Sequence, residues 1–197
     1  MELRLPNPTQ LRQIYETDMK EAFPPAELKP LSAIEGMWQE GKYKPWCLFD
    51  GDLMVGLGFL WMGRPGWALL DYLCVTPERR NDGLGGTILK LLQDAEPGTV
   101  IFGEAEEPAH APDPAMAERR LGFYLRNGLR MAGYDTDVFG VHYKTLYLAD
   151  RAVSDEELME AHRYVYQSSF DPEKLARYVV IPRDPGLPPI RQIPWDQ

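Results

Sequence analysis

The stretch from 80 to 86 combines residue types and spacing that suit phosphate binding. It reads Arg-Asn-Asp-Gly-Leu-Gly-Gly, an R-x-x-G-x-G pattern. Glycines carry no side chain to keep a ligand from the backbone N–H groups, and Arg80 offers a permanently charged, bidentate donor. An apolar run before the loop predicts a strand, and the helical spacing of apolar residues from 84 to 95 predicts a helix directly after it. The pattern therefore predicts a diphosphate cradle at a helix N-terminus.

Two better-known phosphate loops do not fit these residues. The dinucleotide fingerprint G-x-G-x-x-G requires a glycine where the chain has Ile88. The P-loop requires Gly-Lys-Ser/Thr, which Gly86-Thr87-Ile88 does not supply. Taken alone, R-x-x-G-x-G also fits a plain helix start with a surface arginine, so that alternative stays open at this point.

Composition narrows the class of protein. The 197 residues contain 21 Lys and Arg against 30 Asp and Glu, a net charge of −9. This sign disfavours binding to nucleic acid or to an anionic membrane surface. The N-terminus shows no signal-peptide core, and two cysteines provide neither a disulfide framework nor metal-ligand spacing, so we expect a cytoplasmic protein without a metal.

The surrounding pattern predicts an α/β chain with a mixed, mostly antiparallel central sheet flanked by helices. Asn7, Asp113 and Ser154 each stand where a helix N-cap is expected, and Asp50-Gly51 is typical of a two-residue hairpin. The predicted strands are 2–5, 45–49, 53–62, 67–75, 99–105, 129–138 and 141–148.

Two motifs in this order resemble the GNAT superfamily of N-acetyltransferases, which use acetyl-coenzyme A. The first is Val75-Thr76-Pro77-Glu78-Arg79-Arg80-Asn81-Asp82-Gly83-Leu84-Gly85, similar to the family's pyrophosphate motif. The second is Phe123-Tyr124-Leu125-Arg126-Asn127-Gly128-Leu129, similar to the family's tyrosine helix running into a last strand pair. The resemblance covers about residues 1–148 and implies acetyl transfer to a primary amine of a small molecule or peptide.

The resemblance also implies where acetyl-coenzyme A binds. The strand 67–75 would splay from the strand 99–105, and the pantetheine arm would pair with backbone groups of Leu73 and Val75. A backbone N–H at Leu73 or Cys74 would polarise the thioester carbonyl. The implied diphosphate ligands, with Asn127 as an additional contact, are Arg80, Asn81, Asp82, Gly83, Leu84, Gly85 and Gly86.

Catalytic groups follow from the same resemblance. Tyr124 matches the position of the general acid that protonates the departing thiolate, although a packed aromatic residue is the competing interpretation. Asp71, Glu104 and Glu106 are alternative general bases or ligands for a cationic substrate, and the sequence does not choose among them. The three histidines, His110, His142 and His162, do not form a site in the sequence.

Two departures from the family pattern keep a non-catalytic alternative open. Asp82 puts a carboxylate beside the diphosphate site, and the region 116–118 lacks an asparagine that many relatives carry early in the tyrosine helix. The chain could thus be a coenzyme A sensor or an interaction module with the same fold.

The domain boundary is expected near residue 150. Residues 1–150 would form the acetyltransferase-like domain, and 151–197 a C-terminal helix with a proline-rich tail. The tail is too apolar to be freely solvated, so we expect it to pack on the domain or on the second subunit of a homodimer.

Overall fold

A computed structural model describes residues 1–25 and 27–186. The described strands form an eight-stranded, mostly antiparallel sheet flanked by helices, which confirms the predicted fold class. By their internal contacts the described residues divide into two units, one of residues 1–62 and 70–97 and one of residues 63–69 and 98–186. None of the described helices has the length and apolar character that a membrane span requires.

The described part of the first unit consists of neighbouring strands of the sheet and the helices that pack on them. A π-helical turn, Tyr15–Met19, joins its first two helices and keeps both end residues buried. Its elements are β1 (Glu2–Arg4), α1 (Pro8–Ile14), α2 (Lys20–Ala22), α3 (Leu31–Gln39), β2 (Tyr43–Asp50), β3 (Leu53–Met62), β4 (Trp67–Val75, beginning in the other unit) and α4 (Leu84–Ala95).

The second unit has strands in the order β5-β7-β6-β8, each antiparallel to the next. Its buried centre is built by β5 and by the apolar face of α6, including Phe102, Leu158 and Val165. Its elements are β5 (Val100–Glu106), α5 (Pro114–Arg126), β6 (Arg130–Val138), β7 (Val141–Leu148), α6 (Asp155–Gln167), α7 (Pro172–Tyr178) and β8 (Val179–Val180).

Local capping fixes where the main helices begin. Asn7 and Ser154 each close a capping box, with Gln10 and Glu157 respectively, and Asp113 accepts a hydrogen bond from the Met116 amide at 3.0 Å. Each cap satisfies backbone donors that a helix start leaves unpaired. The three predicted N-caps are confirmed.

Two glycines of β3 let α4 pack unusually close to the sheet. A Cβ atom on Gly56 would lie 2.8 Å from Ile88 Cδ1, and one on Gly58 would lie 2.8 Å from both Ile88 Cγ2 and Leu92 Cδ1. Ile88 and Leu92 are fully buried in this contact. The missing side chains therefore set the depth at which α4 sits, and with it the position of its N-terminus.

The first part of the tail adds an edge strand to the second unit. β8 pairs with Asp137 and Val138 of β6, and the Arg183 amide donates to the Asp135 carbonyl at 2.7 Å. The sequence expectation for 187–197 lies outside the described residues, and the domain boundary near 150 stays a prediction.

We expect Gly58→Val to destabilise the protein by about 1–3 kcal/mol, because overpacking would displace α4. Gly36→Ala is the matched control: a Cβ there meets nothing within 4 Å, so the helical alanine should stabilise slightly. Urea unfolding of both variants measures the difference. Equal stability of Gly58→Val and the parent chain would contradict the close packing.

Candidate active site

The phosphate-loop candidate runs from the end of β4 into the first turn of α4. A short 3₁₀ turn, Pro77–Arg79, leads to Asn81 and Gly83, whose φ angles of 71° and 77° lie in the left-handed region. Glycine adopts this conformation without the steric cost that a side chain adds. The left-handed residues turn the chain sharply, so that α4 begins at Leu84.

The N-terminus of α4 presents unused hydrogen-bond donors. The Thr87 amide donates to the Gly83 carbonyl at 3.1 Å, and no side chain of the described chain caps the helix. The amides at the start of α4 therefore have no partner within the helix. A Cβ on Gly83 would meet no atom within 4 Å, so the space beside this residue is open. Together with the helix dipole, these donors fit a bound anion.

The ion pairs around the loop are made by Arg79, and Arg80 takes no part in them. Arg79 pairs with Asp82 at 3.0 Å and with Asp50 at 3.2 Å, which raises the pKa of the Arg79 guanidinium. The Asp82 carboxylate is thereby balanced by a neighbouring cation. Arg80 is exposed, makes no ion pair with the described residues, and donates through Nε to the Val75 carbonyl at 3.4 Å. Its guanidinium keeps donors for a ligand.

The last part of β4 is more open than its beginning. The first four residues are buried, whereas Leu73, Cys74 and Val75 are half-buried. Burial raises the pKa of the Cys74 thiol to about 12, with Asp18 adding to the shift and Arg80 opposing it. The thiol is therefore protonated at neutral pH and is a poor nucleophile, which leaves the backbone as the chemically useful part of Cys74.

Asp71 lies in a buried ion pair of the first unit. Lys29 Nζ contacts the two carboxylate oxygens of Asp71 at 2.7 and 2.8 Å, and the Tyr43 hydroxyl donates to Oδ2. The Lys29 side chain is 4% exposed, and its ammonium lies 4.4 Å from the Trp61 ring centroid. The carboxylate is thus neutralised and oriented by the protein itself.

Glu104 and Glu106 of the second unit have different partners. The Glu106 carboxylate pairs with Arg120 at 3.3 Å. The Glu104 carboxylate accepts hydrogen bonds from Thr136 Oγ1 at 3.2 Å and the Tyr166 hydroxyl at 2.7 Å, and it contacts His162 Nε2 at 2.9 Å. No lysine or arginine of the described chain pairs with Glu104.

Tyr124 and Asn127 lie at the end of α5. Burial raises the pKa of the Tyr124 phenol, while the charge of Arg120 acts in the opposite direction. The Tyr124 hydroxyl makes no hydrogen bond with the residues that the structure describes. Asn127 Nδ2 donates to the Phe123 carbonyl at 2.8 Å, so this amide helps to end the helix.

One side-chain cluster of the second unit has the residue types of a cation site. Ligand atoms of Glu107, Asp135 and His142 lie within 4.8 Å of one another. Lys144 Nζ lies 2.8 Å from both Glu107 and Asp135. Burial would raise the pKa of Asp135, but hydrogen bonds from Lys144 and His142 outweigh it and lower the pKa. The ammonium of Lys144 thus already occupies the position between the two carboxylates.

Sequence reasoning missed the partners of Asp71 and Glu104. Lys29 is separated from Asp71 by 42 residues, and His162 from Glu104 by 58 residues, so no local spacing connects them. One available signal was the i, i+4 spacing of His162 and Tyr166, which places both on one face of a helix.

The sequence of this chain resembles that of one curated protein, although it matches no family model. The protein YjbC of Bacillus subtilis (strain 168), provisionally named an acetyltransferase, is 24% identical over 157 residues, which cover 76% of this chain and 78% of that protein.

Solved structures give the fold. A Bacteroides thetaiotaomicron protein provisionally assigned as a GNAT-family acetyltransferase superposes with a TM-score of 0.68 at 19% identity, covering 85% of this chain and 100% of that one. The chain has the GNAT fold. The ribosomal-protein-S18-alanine N-acetyltransferase of Escherichia coli gives a TM-score of 0.58 at 16% identity, covering 78% of this chain and 96% of that one. An aminoglycoside 6′-N-acetyltransferase complexed with coenzyme A gives 0.57 at 14% identity, covering 78% and 99%. The GNAT resemblance of the sequence is confirmed at the level of the fold.

We expect Asp71→Asn to lower the free energy of unfolding by about 3–5 kcal/mol, because the Lys29 ammonium would lose its buried carboxylate. Asp50→Asn is the control, since Asp50 is half exposed and its pair with Arg79 contributes at most about 1 kcal/mol. Urea unfolding at neutral pH compares the variants. Similar small losses in both would show that the Lys29–Asp71 pair does not support the fold.

Proposed function

We propose that this GNAT-fold chain transfers an acetyl group from acetyl-coenzyme A to a primary amine of a small molecule or peptide. The observation that carries the proposal is the uncapped N-terminus of α4, preceded by Arg80 in the R-x-x-G-x-G arrangement. The free amides at the helix start, which the left-handed Gly83 exposes, and the remaining N–H groups of Arg80, which has no ion pair among the described residues, form the donor set that a diphosphate requires. The coenzyme A complex of a structural neighbour supports the choice of cosubstrate.

In this proposal the loop binds the cosubstrate and β4 orients it. Backbone donors at the start of α4 and the Arg80 side chain hold the diphosphate, while Leu73 and Val75 offer main-chain groups to the pantetheine arm. An N–H at Leu73 or Cys74 polarises the carbonyl. Acetyl-coenzyme A supplies the activated acyl thioester. The full set proposed for binding is Leu73, Cys74, Val75, Arg80, Asn81, Asp82, Gly83, Leu84, Gly85, Gly86 and Asn127.

Among the three carboxylates, we assign the general base to Glu104. Asp71 is neutralised by Lys29, and Glu106 is paired with Arg120. Each of these two carboxylates therefore already has a cationic partner that occupies its oxygens. Glu104 is held by hydrogen-bonding groups without a lysine or arginine, and 12% of its side chain is exposed. It can therefore accept the proton that an attacking amine must lose.

Tyr124 is the proposed general acid. Its raised pKa keeps the phenol protonated at neutral pH, and its hydroxyl has no partner among the described residues. Such a group can give its proton to the thiolate that leaves when the amine nitrogen forms its bond to the acetyl carbon. Asn127 binds the Phe123 carbonyl through one N–H, and its second N–H and its amide oxygen remain for a contact with the cosubstrate.

We expect Arg80→Glu to weaken coenzyme A binding by at least about tenfold, because a charge-assisted phosphate contact becomes a repulsion. Lys90→Glu makes the same charge change at an exposed position of α4 and serves as the control. Isothermal titration calorimetry with coenzyme A measures both affinities. An unchanged affinity for Arg80→Glu would contradict the cradle.

We expect Tyr124→Phe to lower kcat about 100-fold with little change in coenzyme A affinity, because the ring remains and only the proton donor is lost. The measurement is thiol release from acetyl-coenzyme A across a panel of polyamines, amino sugars, amino acids and peptide N-termini. Normal turnover in Tyr124→Phe would rule out the acid role. Tight coenzyme A binding without turnover of any amine by the parent chain would favour the sensor alternative.

A further inference from the structure

The C-terminal helix supplies two of the groups that hold Glu104. His162 and Tyr166 lie one turn apart on α6, in the part of the chain beyond the GNAT resemblance. His162 Nε2 contacts Glu104 Oε1 at 2.9 Å, and the Tyr166 hydroxyl donates to Oε2 at 2.7 Å. The His162 side chain is completely buried. An imidazole without access to water must find its hydrogen-bond partners inside the protein.

The contacts of the imidazole fix its hydrogen-bonding direction. An ionised carboxylate only accepts, so His162 Nε2 carries the proton that it shares with Glu104. In the neutral ring Nδ1 then accepts, and the Tyr134 hydroxyl lies 3.2 Å from it. Burial raises the pKa of Tyr134, which keeps that phenol protonated as a donor. A hydrogen bond with Thr145 and the charge of Arg163 oppose this shift, and the charges of Glu104 and Asp155 add to it. The hydrogen bonds run in one direction, from Tyr134 through His162 to Glu104.

Counting acceptor sites shows which oxygen of Glu104 remains available. Each carboxylate oxygen accepts about two hydrogen bonds. Oε1 already has two donors, Thr136 and His162, whereas Oε2 has one donor, Tyr166. Within the described contacts, one acceptor site is left on Oε2. The network therefore leaves a single oxygen for a proton that arrives from outside.

We propose that His162 and Tyr166 are positioning residues that hold Glu104 in its proton-accepting geometry, with Oε2 as the accepting atom. This inference rests on the proposed acetyl transfer and on Glu104 as its general base. The two donors bind different oxygens of the carboxylate and so keep it in one orientation. In this proposal α6 contributes to the reaction through His162 and Tyr166, in addition to packing against the sheet.

The test uses the full chain and the amine that gives the highest turnover in the thiol-release panel. Tyr166→Phe keeps the ring and removes one donor. We expect it to lower kcat about tenfold and to leave KM for acetyl-coenzyme A within about twofold, because the carboxylate loses an orienting donor while cosubstrate binding is untouched. His162→Gln, which retains an N–H donor, should lose less activity than His162→Leu.

A matched control separates positioning from folding. His110→Gln changes an exposed histidine outside this network and should leave kcat and KM unchanged. If His162→Leu does not fold, Tyr166→Phe alone decides the question. A parental kcat in folded Tyr166→Phe, or equal losses in His162→Gln and His162→Leu, would overturn the positioning role while leaving acetyl transfer intact. No turnover of any amine by the parent chain would overturn the proposed function, and the positioning role with it.

Discussion

The distance between α4 and β3 is the constraint on which the first unit depends. Gly56 and Gly58 remove two side chains from β3 at the places where Ile88 and Leu92 enter. A helix N-terminus binds an anion only if its amides stand at the correct depth and direction. In this chain that depth is set by packing behind the helix, several residues from the loop itself. In the proposed function, the two glycines of β3 would therefore support phosphate binding by the loop, although only the loop contains the polar groups.

In the second unit, the main constraint is a buried network of hydrogen bonds around Glu104. Glu104 joins β5 to β6 through Thr136 and to α6 through His162 and Tyr166. Buried polar groups are costly unless each finds a partner, and here the partners of Glu104 come from two elements, β6 and α6. The same contacts that fasten α6 also fix the direction of the carboxylate. In the proposed reaction, one set of hydrogen bonds would thus serve both the stability of the unit and the orientation of the base.

Elements with strong local patterns could be predicted from the sequence. The observed bounds of β3 and β4 equal the predicted ones, and the N-caps Asn7, Asp113 and Ser154 are confirmed because capping depends on residues within one turn. The two-residue strand β8 was not predicted, since its short run gains strand geometry only by pairing with β6. The partners of Asp71 and Glu104 were missed for a related reason. Their choice is made by tertiary packing, over separations that periodicity does not report.

For the candidate site too, the locally determined part could be predicted from the sequence and the part that depends on tertiary contacts could not. The loop from 80 to 86 was recognisable because its chemistry is local: a turn, its glycines and the start of a helix. The choice among Asp71, Glu104 and Glu106 required knowing which carboxylate faces a cation, and only the three-dimensional contacts supply that.

The central claim is that the start of α4 binds a diphosphate through its free amides. Backbone amide NMR during titration with coenzyme A tests it most directly, with pantetheine, which lacks the diphosphate, as the matched ligand. The account predicts large shifts of the amide resonances of Gly83 to Gly86 with coenzyme A and small ones with pantetheine. Equal shifts with both ligands, or unmoved resonances at these four residues, would contradict it.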